Sequence, residues 1–123
     1  MPFNLDNNKA TYQIRGYQSG QIQVNDKVFT HSIIISAEKL IQPWRPQTLK
    51  DLVARDLAII IELKPAILLL GTGEELIFPP LEIYGDLINH GIGVEIMNTS
   101  AAARTYNALT AEQRDVMAAL IIK

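Results

Sequence analysis

The 123-residue chain has no cysteine, which excludes disulfide bridges, thiol nucleophiles, thiolate zinc sites and cysteine-held iron–sulfur clusters. It also has no continuous apolar run that approaches the roughly 20 residues of a membrane-spanning helix. Residues 1–6 show neither the basic segment nor the apolar segment of a secretory signal. These absences together lead us to expect a cytoplasmic protein without a membrane span.

Positive charge is scarce and scattered. Eleven basic residues face thirteen acidic ones, for a net charge of −2. A nucleic-acid binder needs a concentrated basic stripe to neutralise phosphates, so nucleic acid is excluded as a main partner. The two histidines, His31 and His90, lack the spacing of metal ligands. We therefore expect neither a metal site nor a cofactor.

Hydrophobic residues make up 48% of the chain, enough for one compact domain over residues 1–123. Short segments with strand patterns, separated by turn signals, predict an antiparallel meander in the first third. After the prolines at 43 and 46, the pattern changes to alternating helices and apolar strands. The predicted strands are 11–17, 21–24, 28–36, 66–70, 93–97 and 116–122, and the predicted helices are 51–63, 81–90 and 100–109.

Local signals predict the ends of the later helices. Pro79-Pro80 fits a helix start, Gly91 fits a helix end, and Thr99 is expected to cap the last helix through its hydroxyl. The pattern at residues 110–113 resembles a capping box, so we predict one further helical turn before the final strand. Right-handed crossovers make these strands parallel and place the loops after residues 70 and 97 at one sheet edge, where ligands usually bind.

Several motifs in the second half recur together in a known family. They are Ile67-Leu-Leu-Leu-Gly-Thr-Gly73, Pro79-Pro80, Gly91-Ile-Gly-Val-Glu-Ile-Met97, Thr99, and Ala102-Ala-Arg-Thr-Tyr-Asn-Ala-Leu109 with Glu112 and Arg114. The chain thereby resembles the small α/β domain family that includes the mitochondrial NADH dehydrogenase (complex I) assembly factor and an adipogenesis-associated protein. Family members often carry a cysteine where this chain has Ala103. A thiol role is therefore not expected here.

The resemblance implies an α/β, three-layer fold. A central mixed sheet would lie beside an N-terminal antiparallel β portion, followed by βαβαβ units. The assembly-factor relatives act through protein partners, and no enzyme activity is settled for the family. The leading hypothesis is therefore a non-enzymatic protein-interaction or assembly-type module, with self-association left open.

The alternative hypothesis is a small-anion or metabolite-binding domain. A helix N-terminus attracts anions, and an arginine one turn further on can add a bidentate contact. The predicted site consists of Gly71, Thr72, Gly73, Thr99, Arg104 and Asn107. No catalytic residue is proposed, because no Ser/His/Asp arrangement or paired-carboxylate cleft is apparent.

Each polar residue also has a structural interpretation. The Gly71-Thr72-Gly73 segment fits a structural strand-end turn better than an anion cradle, because the glutamates that follow it would repel a phosphate. Arg104 could instead pair with Glu95 or Glu112 and tie the helix to the sheet. Trp44, between two prolines, is expected to cover a sheet edge or anchor a protein contact rather than to lie wholly in the core.

Overall fold

The computed structural model describes residues 8–123, so the expectation drawn from residues 1–6 lies outside the described residues. Within these described residues, eight strands and three α-helices follow one another, with two 3₁₀ turns, Leu49–Asp51 and Ala54–Leu57, before α1. Their bounds are β1 Ile14–Gln18, β2 Gln21–Val24, β3 Lys27–Phe29, β4 Ile33–Ser36, β5 Leu40–Ile41, α1 Ala58–Leu63, β6 Ile67–Thr72, α2 Leu81–Asn89, β7 Gly93–Met97, α3 Thr99–Ala111 and β8 Val116–Ile121.

The strands form two sheets. β1, β2 and β3 make an antiparallel three-stranded sheet, and the others make a five-stranded sheet in the order β5-β4-β8-β6-β7. In the larger sheet β6 runs parallel to both β7 and β8, whereas β4 is antiparallel to β8. The predicted mixed α/β fold, with its N-terminal antiparallel portion, is confirmed.

The larger sheet separates two hydrophobic cores because successive side chains of a strand point to opposite faces. One face packs against the small sheet and α3, with Leu69 and Tyr106 among its buried side chains. The other face packs against α1, α2 and the 3₁₀ segment, with Leu68 and Leu70 buried there. β6 is therefore apolar on both faces, as its uninterrupted Leu run predicts.

The strand predicted over residues 28–36 is wrong as a single element. It divides into β3 and β4, which belong to different sheets. The residues of β3 are exposed or half-buried, whereas Ile33, Ile34 and Ile35 are all fully buried in the large sheet. The chain changes sheets between them, so the meander has three strands but ends earlier than predicted.

The helix predicted over residues 51–63 forms only in its second half. Its first half is two 3₁₀ turns separated by an extended Leu52–Val53 step. The Asp51 side chain accepts a hydrogen bond from the Gln47 amide (3.3 Å), and the Asp56 side chain accepts one from the Val53 amide (2.9 Å). Such local side-chain bonds compete with a continuous helix and restart the turn.

Trp44 corrects another prediction, because it lies within the second core and is only 5% exposed. Its indole Nε1 donates to the Asp56 carbonyl oxygen (3.1 Å), and its amide donates to the Ser32 carbonyl (2.7 Å). A buried indole needs a partner for its N–H, and the carbonyl of the 3₁₀ turn supplies it.

The end of α3 also differs from the prediction. No new helix starts at residues 110–113, because Thr110 stays within α3 and its hydroxyl donates to the Tyr106 carbonyl (2.9 Å). Gln113 adopts a left-handed conformation (φ 61°) and ends the helical turn. The predicted final strand is confirmed as β8.

Candidate functional site

The ends of β6 and β7 lie beside the start of α3, so the structure brings Gly71, Gly73 and Thr99 together as predicted. Gly71 leaves no room for a side chain: a Cβ placed there would lie 2.8 Å from Thr99 Oγ1 and 2.9 Å from Leu120 Cδ2. Gly73 has φ +100°, and a Cβ there would overlap the Lys123 carbonyl oxygen. Both glycines are therefore required by close packing.

Thr99 is fully buried and joins three segments through short hydrogen bonds. Its hydroxyl accepts from the Gly73 amide (2.8 Å) and donates to the Ile121 carbonyl oxygen. Its own amide donates to the Gly73 carbonyl (2.9 Å). We call Thr99 and these backbone partners the Thr99 junction.

The prediction that Thr99 caps α3 is wrong. Asn98 is the capping residue, and its side-chain oxygen accepts from the Ala101 amide (2.8 Å). Thr99 is instead the first residue of the helix. Its hydroxyl is turned towards β6 and β8, where the absence of a side chain at Gly71 leaves space for it.

Asn107 lies two turns further along α3 and does not join this junction. Its side-chain nitrogen donates to the Ile14 carbonyl (2.6 Å), and its oxygen accepts from the Ile14 amide (3.1 Å). Next to it, the Tyr106 hydroxyl donates to the Tyr12 carbonyl (2.7 Å), and burial raises the pKa of Tyr106. These two side chains attach α3 to the start of β1 and to the residues just before it, since both bind backbone groups there.

Arg104 is exposed on the outer face of α3. Its Nη1 donates to Ser100 Oγ one turn back (2.7 Å). Among residues 8–123, neither Glu95 nor Glu112 forms the predicted ion pair with Arg104. The ion pair that the structure does show, with its charged nitrogen and oxygen closer than 4.0 Å, joins Arg45 to Asp56. The anion site that combines Arg104 with the Thr99 junction stays a prediction, and no hydrogen bond among the described residues connects the two.

Thr72 folds the loop that follows β6. Its buried hydroxyl donates to the Glu75 carbonyl (2.6 Å) and accepts from the Ile77 amide (3.3 Å). These two hydrogen bonds stabilise the first turn of the loop. Gly73 lets the chain leave the strand with a positive φ (100°), a conformation that other residues rarely adopt. The predicted residues at this edge thus determine the course of residues 74–80.

That loop carries a surface that the sequence reasoning missed. Three apolar side chains of the loop and one at the start of α2 are unusually exposed, and Pro79 beside them is buried and anchors the loop. They are Leu76 (50% exposed), Ile77 (49%), Phe78 (67%) and Leu81 (58%). We call these four residues the apolar loop surface. The available signal was an apolar run with two prolines in a segment predicted to be neither helix nor strand.

Two pockets adjoin the apolar loop surface. The first, of about 360 Å³, lies between the 3₁₀ segment and the start of α2, and all but one of its lining side chains are apolar: Leu49, Lys50, Leu52, Ile77, Phe78, Pro79, Pro80 and Ile83. We call it the apolar pocket. The second, of about 390 Å³, shares Leu49, Lys50 and Ile77 with it, and its other charged lining residues are Glu74, Glu75 and Lys123.

An ion pair holds the segment that forms one wall of the apolar pocket. Arg45 donates from Nε to Asp56 Oδ1 and from Nη2 to Asp56 Oδ2, both at 2.7 Å, and also to the Asp51 carbonyl. The hydrogen bond from Arg45 lowers the pKa of Asp56, and the Val53 amide acts in the same direction. The pair therefore fixes both 3₁₀ turns, and with them the wall that contains Leu49 and Leu52.

Within the part of the chain that the structure describes, no three acidic or histidine side chains are grouped to hold a metal ion. No helix among residues 8–123 has both the length and the apolar character needed to cross a bilayer. His31 Nε2 lies 2.9 Å from Gln42 Oε1, and His90 Nδ1 lies 2.7 Å from the Asp86 carbonyl oxygen. Both rings thus have protein hydrogen-bonding partners.

Comparison with known proteins gives consistent matches. A family model described as "Protein of unknown function (DUF498/DUF598)" matches residues 14–121. The "13 kDa major membrane protein" of Francisella tularensis is 31% identical over 114 residues, covering 92% of this chain and 93% of that protein. A crystal structure of a Bordetella parapertussis protein is 38% identical, with a TM-score of 0.86, and the match covers 93% of this chain and 98% of that one.

The resemblance to an assembly factor is also confirmed. "NADH dehydrogenase [ubiquinone] 1 alpha subcomplex assembly factor 3" of Xenopus tropicalis is 31% identical over 121 residues, which cover 95% of this chain. The chain spans only 65% of the length of that relative.

Proposed function

The chain belongs to the DUF498/DUF598 family of proteins of unknown function, and from that premise we propose that it is a protein-interaction module of the assembly type. We assign the binding to the apolar loop surface. The observation that carries the proposal is the exposure of Phe78, which is 67% exposed at the centre of a run of exposed apolar residues. Contiguous exposed apolar patches on soluble domains mark interaction sites.

The rigidity of the loop supports this proposal. Hydrogen bonds to Thr72 close its first turn, and buried Pro79 anchors its end. The apolar side chains are thus held outward by local structure. A preorganised surface loses less conformational entropy on binding, so more of its contact energy appears as affinity.

The relatives support the same function. The Xenopus relative is named as an assembly factor, and a protein with that role acts on other polypeptides. Because this chain spans part of that relative, we transfer only the general property of binding a protein. We propose a cytoplasmic location, as the sequence suggests, although the Francisella relative is named a membrane protein.

The hydrogen bonds of the buried polar residues in the predicted site also favour binding over catalysis. Thr72 and Thr99 use their hydroxyls in bonds to the protein backbone, and Asn107 uses its amide in the same way. A catalytic group must be able to reach a substrate. None of these three is placed to do so without breaking a bond that holds the fold.

The test is the native size of the protein in extracts of its own cells. We expect the tagged wild-type chain to elute in a complex larger than the monomer, and Phe78→Asp to elute as the monomer, because a carboxylate cannot be buried in an apolar interface without a partner. Val28→Asp is the matched control, since Val28 is similarly exposed (52%) on β3, away from the apolar loop surface.

Equal elution of wild type and Phe78→Asp would contradict the proposal. Thermal melting of both purified variants verifies that each remains folded. A complex that is lost equally in Val28→Asp would assign the binding to another surface.

A further inference from the structure

We propose that the occupant of the apolar loop surface is a second copy of this chain, docked about a two-fold axis so that Phe78 of each copy enters the apolar pocket of the other. This inference rests on the proposed function and names its partner. The apolar loop surface and the apolar pocket are adjacent and share Ile77 and Phe78. In a two-fold interface one patch meets itself, so it must present both a projection and a recess.

The dimensions of the two features fit. Among residues 8–123, Phe78 is the most exposed of the large apolar side chains, and the pocket beside it measures about 360 Å³. An apolar cavity of about 150 Å³ already holds a benzene ring. The pocket therefore has room for an aromatic side chain from another molecule, and its walls of Leu49, Leu52 and Ile83 offer only apolar contact.

The charged residues around the apolar loop surface favour a second copy of this chain over a partner that carries charge of predominantly one sign. The pocket next to the apolar pocket is lined by two lysines, Lys50 and Lys123, and two glutamates, Glu74 and Glu75. A strongly basic or strongly acidic partner would meet as much repulsion as attraction there. An identical surface carries the same balance, so opposite charges can face each other across the axis.

Sedimentation equilibrium of the purified protein over a range of concentrations tests the inference. We expect the wild type to reach twice the monomer mass as concentration rises. Phe78→Asp should weaken the dimer by at least about tenfold, because aromatic side chains at an interface centre carry much of the binding energy. Val28→Asp should dimerise as the wild type does.

Two charge variants sharpen the test. The double variant Lys50→Glu, Lys123→Glu makes all four charged residues of the second pocket acidic. The double variant Glu74→Lys, Glu75→Lys makes all four basic. Each variant alone should dimerise less than the wild type, because like charges then meet across the axis. An equimolar mixture should recover the dimer, and added salt should weaken it.

The outcomes separate the two proposals. A purified wild type that stays monomeric, with a cellular complex that still depends on Phe78, overturns the second-copy inference and leaves the proposed function standing. Purified dimers unaffected by Phe78→Asp would also overturn it. If the protein is monomeric both in extracts and after purification, both proposals fail.

Discussion

Two neighbouring segments leave the same edge of the central sheet, and they are opposite in character. The segment after β7 is polar in sequence, yet Thr99 is fully buried and its hydroxyl is engaged on both sides by backbone groups. The segment after β6 contains the apolar run Leu76–Phe78, yet it exposes Ile77 and Phe78. Polar side chains at this edge stabilise the fold, whereas the apolar ones remain available to a partner. Under the proposed function, a search by polar motif alone would lead to the segment after β7 and overlook the exposed apolar segment after β6.

Gly73→Ala should have the largest effect, because it combines an unfavourable φ with overlap of the Lys123 carbonyl. We expect the free energy of unfolding to fall by about 2–4 kcal/mol, measured by urea denaturation. Gly20→Ala is the matched control: its φ of +88° is equally unusual, but nothing lies within 4 Å of its Cβ position. Equal losses in the two variants would show that close packing at Gly73 contributes nothing.

Thr99→Val should be the next most severe. The replacement keeps the shape of the side chain but leaves the buried Gly73 amide and Ile121 carbonyl without their side-chain partner. We expect a loss of about 1–3 kcal/mol in the free energy of unfolding. Ser100→Ala, one residue along, should change it by no more than about 0.5 kcal/mol. A stable Thr99→Val protein that loses complex formation would reverse the roles of the two segments.

Asp56→Asn tests the wall of the apolar pocket through its pH dependence. The hydrogen bond from Arg45 lowers the pKa of Asp56 in the folded state, so the stabilisation is complete above the ordinary carboxyl pKa of about 3.9 and disappears as pH falls through the lower folded value. The melting temperature of the wild type should therefore exceed that of Asp56→Asn at neutral pH and approach it below about pH 4. A difference that is constant down to pH 2 would argue against the ion pair.

Arg104→Ala should have the smallest effect on stability, within about 0.5 kcal/mol, because the side chain is exposed and its hydrogen bond among the described residues is to Ser100 on the same helix. The same variant tests the predicted anion site. If Arg104 binds an anion, inorganic phosphate should raise the melting temperature of the wild type more than that of the variant. Equal responses would remove the anion-binding hypothesis.

The sequence predicts the second half of the fold well because proline and glycine mark its boundaries. Pro80 precedes α2 and Gly91 follows it with a φ of +81°, as expected from local chemistry. The first half is harder to predict, because the break between β3 and β4 depends on which sheet each strand joins. The 3₁₀ turns before α1 likewise depend on side-chain bonds from Asp51 and Asp56.

The site divides in the same way. Sequence motifs place Gly71, Gly73 and Thr99 together, because parallel strands end at one edge. They cannot show that Thr99 bonds to Ile121, which is distant in sequence, nor that Asn107 faces β1 instead. Exposure of Phe78 is also invisible in composition, since it results from how the loop packs.

Photo-cross-linking in the cell compares the two segments most directly. A photoreactive residue is placed at position 78, on the apolar loop surface, or at position 104, on the exposed face of α3. We predict a discrete protein adduct from position 78 and none from position 104. Adducts from position 104 alone, or equal adducts from both, would contradict the assignment of protein binding to the apolar loop surface.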